Sequence, residues 1–227
     1  MRRPQITSAD VVTFFTTFFL GALAFIFVLV FRYNSCDDND LPSTTRKKCI
    51  DKAQTGDIVV VSYTSKRGKI VRVFTGSLWI HVGLIVRTRA GKVYVLEAAR
   101  YSRSEHGILA KPIEEWLDFN EGNFIAWRPY KGKGIDPTSL RGLLEETSKA
   151  DVNLFVVDWL KTMYKTSYVP HKTRDKYYCS EFVAHSLQEL KVLSRVNDPS
   201  GYKPWELLYG DLELRRGHSY GQAKLVF

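Results

Sequence analysis

The chain has 227 residues, 44% of them hydrophobic, with 33 Lys and Arg against 24 Asp and Glu and a formal net charge of +9. That length fits one soluble domain plus an appendage. The positive residues are scattered, with neither zinc-finger spacing nor a basic helix interleaved with aromatics, so the usual nucleic-acid readers are excluded and an anionic bilayer surface is the partner such a domain would meet.

Residues 1–10 are a short N-terminal tail. From Val11 to Phe31 the sequence VVTFFTTFFLGALAFIFVLVF runs for 21 residues without a charge. About 20 apolar residues in a helix span a hydrocarbon core of about 30 Å, so this segment is expected to be a transmembrane helix. A cleaved signal peptide would have a shorter apolar core and a small-residue cleavage site; here the run continues into Arg32 and Tyr33 with no A-x-A site. Arg2 and Arg3 precede the span, whereas Arg32, Arg46, Lys47 and Lys48 follow it. Short-loop positive charge therefore places the C-terminal domain on the cytosolic side of a single-pass protein. No N-x-S/T sequon occurs, which is compatible with that side.

Residues 32–55 are polar, contain Pro42, and read as a linker between membrane and domain. Cys36 and Cys49 lie within it and are placed to pair if that side is lumenal, which leaves the third cysteine, Cys179, single in either case. The domain is expected over residues 56–227. It opens at Gly56-Asp57, followed by Ile58-Val-Val-Val61, a β-branched run that suits a strand buried on both faces. Residues 69–76 are ambiguous between strand and short helix. Residues 80–88 and 92–98, separated by Arg89-Ala90-Gly91, read as a hairpin. Residues 107–111 suit an edge strand, Pro112 the first turn of a helix over 113–118, and residues 123–130 a further strand.

The second half is helical in pattern. Asp136-Pro137 starts a helix with Leu140, Leu143 and Leu144 on its inner face. Asp151 is expected to start another, with Val152, Phe155, Val156, Trp159, Leu160 and Met163 at helical spacing. A loop over 165–177 carries Pro170 and His171. The last helix is expected from about Tyr178 to Lys191. Strands followed by helices make an α+β layout.

Cys179 stands at the start of that helix, and Phe182, Val183, Ser186, Leu187 and Leu190 lie three, four, seven, eight and eleven residues on. The thiol is therefore on the buried face and in the first turn, where unpaired N–H groups and the macrodipole favour a thiolate. A structural core cysteine is the plainer alternative. Of the five histidines, His185 is about 120° around the helix from Cys179, and His171, His106 and His218 fall in a loop, a polar turn and the tail. His81 lies inside an apolar strand, as a packing histidine would or as a base. If Arg87 pairs with Gly91, His81 faces Glu97 directly, with Cβ atoms about 4.5–5.5 Å apart. A two-residue change of register keeps the two on one face as diagonal neighbours; a one-residue slip separates them. Glu97, a carboxylate in an apolar strand, needs a partner, either His81 or one of the arginines. Nucleophile, base and orienting carboxylate together make a triad, with the Cys179 N–H as one oxyanion donor. Zinc held by the same three residues would match no common structural-zinc spacing.

The ordered elements G-D-I-V-V-V (56–61), W-I-H-V-G-L-I (79–85), Y-V-L-E-A (94–98) and Y-Y-C-S-E-F-V (177–183) resemble the permuted papain-like cysteine hydrolases of the NlpC superfamily, in their YiiX/YaeF and poxvirus-type branch. The resemblance covers about residues 56–210. It implies an α+β fold in which a central cysteine helix packs on an antiparallel sheet. It assigns Cys179 as nucleophile, His81 as base and Glu97 as the third polar residue, and it implies chemistry on amide, ester or thioester bonds of acyl lipids or peptides. Permutation accounts for a histidine that precedes the cysteine. The expectation is thus a membrane-anchored thiol hydrolase or acyltransferase without cofactor or metal. Its rivals are a catalytically silent membrane-tethered binding module of the same fold, and a structural membrane protein whose basic domain recruits acidic lipids or a partner.

Overall fold

The computed structural model describes residues 16–21, 23, 41–75, 77–135, 137–147, 151–152 and 176–227. The β-branched run at 58–61 lies where such a run belongs, in a strand buried along its whole length, β2 (Ile58–Ser62). It is central in a seven-stranded sheet. Around it lie β1 (Ser43–Thr44), β3 (His81–Arg87), β4 (Val93–Arg100), β5 (His106–Pro112), β6 (Phe124–Arg128) and β9 (Lys224–Val226), in the order β1-β9-β6-β2-β3-β4-β5. Every neighbouring pair is antiparallel except β1 with β9. The expected antiparallel sheet is therefore mixed at one edge, where the segment entering the domain runs alongside its last strand.

Strand alternation divides the core. Ile58, Val60, Val82, Leu84, Leu96 and Ala98 face a layer built from helices α5 (Cys179–Glu189) and α6 (Pro204–Tyr209). Val59, Val61, Ile85, Val95, Ile125 and Trp127 face the other way, against α1 (Arg46–Lys52) and α3 (Ile113–Phe119). With both faces covered, the inner strands carry almost no polar side chains, and the few they hold need partners within the fold.

Several expectations change. The ambiguous stretch at 69–76 is helical, α2 (Lys66–Thr75). The linker read over 32–55 is folded from Ser43: Thr45 caps α1 by accepting from the Lys48 N–H, and Cys49 and Ala53 are fully buried. One apolar residue per turn is too sparse for a periodic signal, and the pairing of β1 with a strand about 180 residues away is invisible locally. Helix α4 (Pro137–Thr147) begins at the expected proline. Asp151–Val152, read as a helix start, instead forms β7, paired in parallel with β8 (Lys176–Tyr177); the helix expected beyond it, and His171, lie outside the described residues, as does Cys36. Of the span expected over 11–31, residues 16–21 and 23 are described and are helical. No helix among the described residues is long and apolar enough to cross a membrane.

Candidate active site

His81 is the first residue of β3, paired with Val61 of β2. It points with Gly83 and Ile85 to the α3 side of the sheet, as does Glu97 on β4. The hairpin register differs from the expected one: Arg87 pairs with Val93 and Leu84 with Leu96. Continued along the strands, this register sets Glu97 opposite Gly83 and makes His81 its diagonal neighbour. The connection is two residues longer than expected because Thr88 closes it by bonding to the Lys92 carbonyl. A shift of two preserves the shared face, and the two side chains meet: His81 Nε2 lies 2.6 Å from Glu97 Oε2. Gly83, opposite Glu97, has no room for a side chain against β4. A Cβ there would lie 2.5 Å from Val95 Cγ1 and 3.3 Å from the Leu96 carbonyl oxygen.

Glu97 is fully buried. Its carboxylate accepts from three donors: the His81 ring, Trp116 Nε1 at 3.0 Å and the Tyr101 hydroxyl. Trp116 and Tyr101 were not singled out by sequence, since neither stands near Glu97 in a recognisable motif and α3 reaches it only through tertiary packing. Tyr63 is a further neighbour without a sequence signal, its ring stacked on the His81 ring at 6.0 Å and 26°.

Cys179 opens α5 as expected. Glu181 caps the helix by accepting from the Tyr178 N–H, and Phe182, Val183 and Leu187 anchor it in the core. The half-buried thiol hydrogen-bonds to His81, and the backbone N–H groups of Val82 and Ser180 point to its sulfur. With Nε2 engaged by Glu97, Nδ1 is the ring nitrogen left to the thiol. The three groups named from sequence are thus contiguous, with the imidazole in the middle.

Burial drives the Cys179 thiol towards the neutral form, but the His81 charge, the hydrogen bond to that ring and the two backbone donors outweigh it and hold the thiol below its ordinary value. Burial likewise opposes the His81 charge. The neighbouring Tyr63 and Cys179 groups and the bonds to Cys179 and Glu97 prevail, and the imidazole is held well above its usual range. Glu97 is pushed up by burial and pulled further down by His81, Tyr101 and Trp116. Each shift supports the others, which is the electrostatic pattern of an imidazolium–thiolate pair braced by a carboxylate.

Cys49, in contrast, is buried away from any base, and its thiol is pushed up to about 12, chiefly by burial and then by Asp57. His185 packs against the Tyr177 ring, His218 against Tyr130, and His106 begins the edge strand opposite Arg100. Among the described residues no group of three His, Cys, Asp or Glu side chains is arranged to hold a metal ion. At the triad the reason is geometric, because thiol and carboxylate approach opposite nitrogens of one ring instead of converging on a point.

The metalloprotein YiiX of Escherichia coli O157:H7 is a similar solved structure, with 19% sequence identity over 75% of this chain and 97% of that one and a TM-score of 0.42. Comparison with curated proteins finds no match. A family model described as the permuted papain-like amidase enzymes, YaeF/YiiX, C92 family, matches residues 52–199, from the end of α1 through the cysteine helix. The chain belongs to this family of permuted papain-like amidases.

Proposed function

We propose that the protein is a thiol hydrolase or acyltransferase that cleaves or transfers an amide, ester or thioester acyl bond of a lipid or peptide. Cys179 attacks the acyl carbonyl, its proton having passed to His81 Nδ1. The imidazolium later protonates the leaving group, and Glu97 keeps Nε2 protonated throughout. The Cys179 N–H, in the first turn of α5, is one donor to the oxyanion. The observation that carries this reading is the single imidazole held between a pKa-lowered thiol and a buried carboxylate at 2.6 Å. The catalytic domain is tethered by a helix over residues 11–31 and faces the cytosol. The uncharged run itself and the exposed helical Phe18, Phe19, Leu20 and Leu23 favour that arrangement. A thiol-directed activity probe tests the chemistry: wild type should be labelled, and Cys179→Ala and His81→Ala should not. Equal labelling of wild type and His81→Ala would overturn it. Membrane fractionation before and after deletion of residues 1–40 tests the tether, and a full-length protein that stays in the soluble fraction would refute it.

A further inference from the structure

Arg72 carries a charge that no described residue answers. Only 5% of its surface is exposed. Its Nε is sealed from solvent and has no acceptor. Its side chain makes one hydrogen bond, from Nη1 to Ser62 Oγ at 3.4 Å, a long contact with a neutral hydroxyl. Two half-buried arginines are treated differently. Arg87 donates to the carbonyls of Ala53, Ile50 and Asp51, and Arg128 to those of Leu207 and Gly210. A guanidinium remains charged under all ordinary conditions, and a buried charge without compensation is costly. Arg72 therefore lacks the acceptors that a purely structural arginine collects.

Its position gives that deficit a meaning. Ser62, its partner, ends β2. The residue before it, Val61, pairs with His81, and the residue after it, Tyr63, stacks on the His81 ring. By strand alternation Ser62 shares its face with Val60 and Ile58, which pack in one cluster with Phe182 and Val183 of the cysteine helix. The guanidinium thus lies at the His81 end of the sheet, on the face that carries α5.

We propose that Arg72 is an anion-binding subsite of the thiol site, receiving a carboxylate or phosphate of the substrate while the acyl carbonyl lies at Cys179. The proposal rests on the reading of Cys179 as nucleophile. A planar guanidinium matches the paired oxygens of either anion bidentately, and here most of its donors are unspent. The substrate class becomes an acyl compound with an anionic group a short distance from the scissile bond.

Iodoacetate and iodoacetamide test this at Cys179 itself. Both form the S–C bond as iodide leaves, and they differ in one carboxylate. Their rates at Cys179 are read in the full-length protein by peptide mass spectrometry. Arg72→Met should slow iodoacetate about tenfold or more relative to iodoacetamide, the effect of losing a hydrogen bond to a charged group; Arg72→Lys should retain most of the preference. Inorganic phosphate and acetate, added as competitors, distinguish the two sources of the anion, and the one that protects wild type at lower concentration identifies it. An unchanged rate ratio in Arg72→Met, with iodoacetamide reacting at the wild-type rate, would overturn the subsite. If Arg72→Met does not fold, selective protection of wild type against iodoacetate carries the test, and its absence overturns the proposal. Slow iodoacetamide reaction of wild type would instead count against Cys179 as nucleophile. The subsite is then judged by a rise in melting temperature with phosphate or acetate, and no rise with either rejects it.

Discussion

Replacing Glu97 by Gln keeps the side-chain volume and removes the charge that braces His81. In the native site Oε2 accepts from both His81 Nε2, at 2.6 Å, and Trp116 Nε1, at 3.0 Å, while Oε1 accepts from Tyr101. An amide has one acceptor oxygen, so either the two ring donors or the tyrosine meets an NH2 group. In either orientation the contact with His81 loses its charge assistance. Hydrogen bonds to charged groups contribute about 1.5–3 kcal/mol, so the imidazolium–thiolate pair should fall about 10- to 100-fold in population. The signs follow: the His81 pKa, raised in the native site, drops, and the Cys179 pKa, lowered in the native site, rises. Because the two groups titrate as a coupled pair, the observable is the profile of the pair. Iodoacetamide alkylation of Cys179 against pH is the assay. Glu97→Gln should move the rising limb to higher pH and slow the reaction by about 10- to 100-fold near pH 6, with the difference closing at alkaline pH where the thiolate forms unaided. A variant profile that superimposes on wild type would refute the claim that Glu97 acts through His81.

Three further outcomes follow from the packing. Cys49, with a thiol raised to about 12 and no exposed surface, should stay unlabelled in a folded Cys36→Ser/Cys179→Ala variant and react only after denaturation; labelling under native conditions would contradict its burial. Gly83→Ala forces a methyl to within 2.5 Å of Val95 Cγ1, and such overpacking costs about 1–3 kcal/mol. Thermal denaturation should show a fall of several degrees, and the penalty should shrink in a Val95→Ala background; an additive double-mutant cycle would reject the contact as its cause. Asp57, buried under bonds from Trp127 Nε1, the Tyr130 N–H and the Gln54 N–H, has its carboxyl raised to about 6, chiefly by burial. A carboxyl raised in the folded state favours folding at low pH and loses that contribution as pH rises from about 4 through about 6, by at most about 3 kcal/mol. Asp57→Asn, which loses acceptors and destabilises overall, should therefore lose less melting temperature relative to wild type at pH above about 6 than at about pH 4; a constant deficit across that range would show that Asp57 does not titrate there.

Cys179 stood out as the candidate nucleophile because two local codes coincide on it: helical spacing of Phe182, Val183 and Leu187, and a position in the first turn. The strand periodicity around His81 and Glu97 was equally local, and since side chains alternate with a period of two, the shared face survived a hairpin register wrong by two residues. What sequence alone could not supply were the meetings between distant segments. Trp116 and Tyr101 bond to Glu97, Tyr63 covers the His81 ring, and Ser43–Thr44 pairs with the last strand. None of these leaves a trace in composition or spacing, because each depends on which layer covers which face of the sheet. Arg72 is the sharpest example: in KRGKIVRV it is one more basic residue near a helix surface, and only the burial of its guanidinium beside Ser62 makes its charge a question. Local propensity and alternation decided the elements and the candidate triad. The closing of two helical layers over one sheet decided what surrounds that triad, because the desolvation that perturbs its charges exists only in the folded chain.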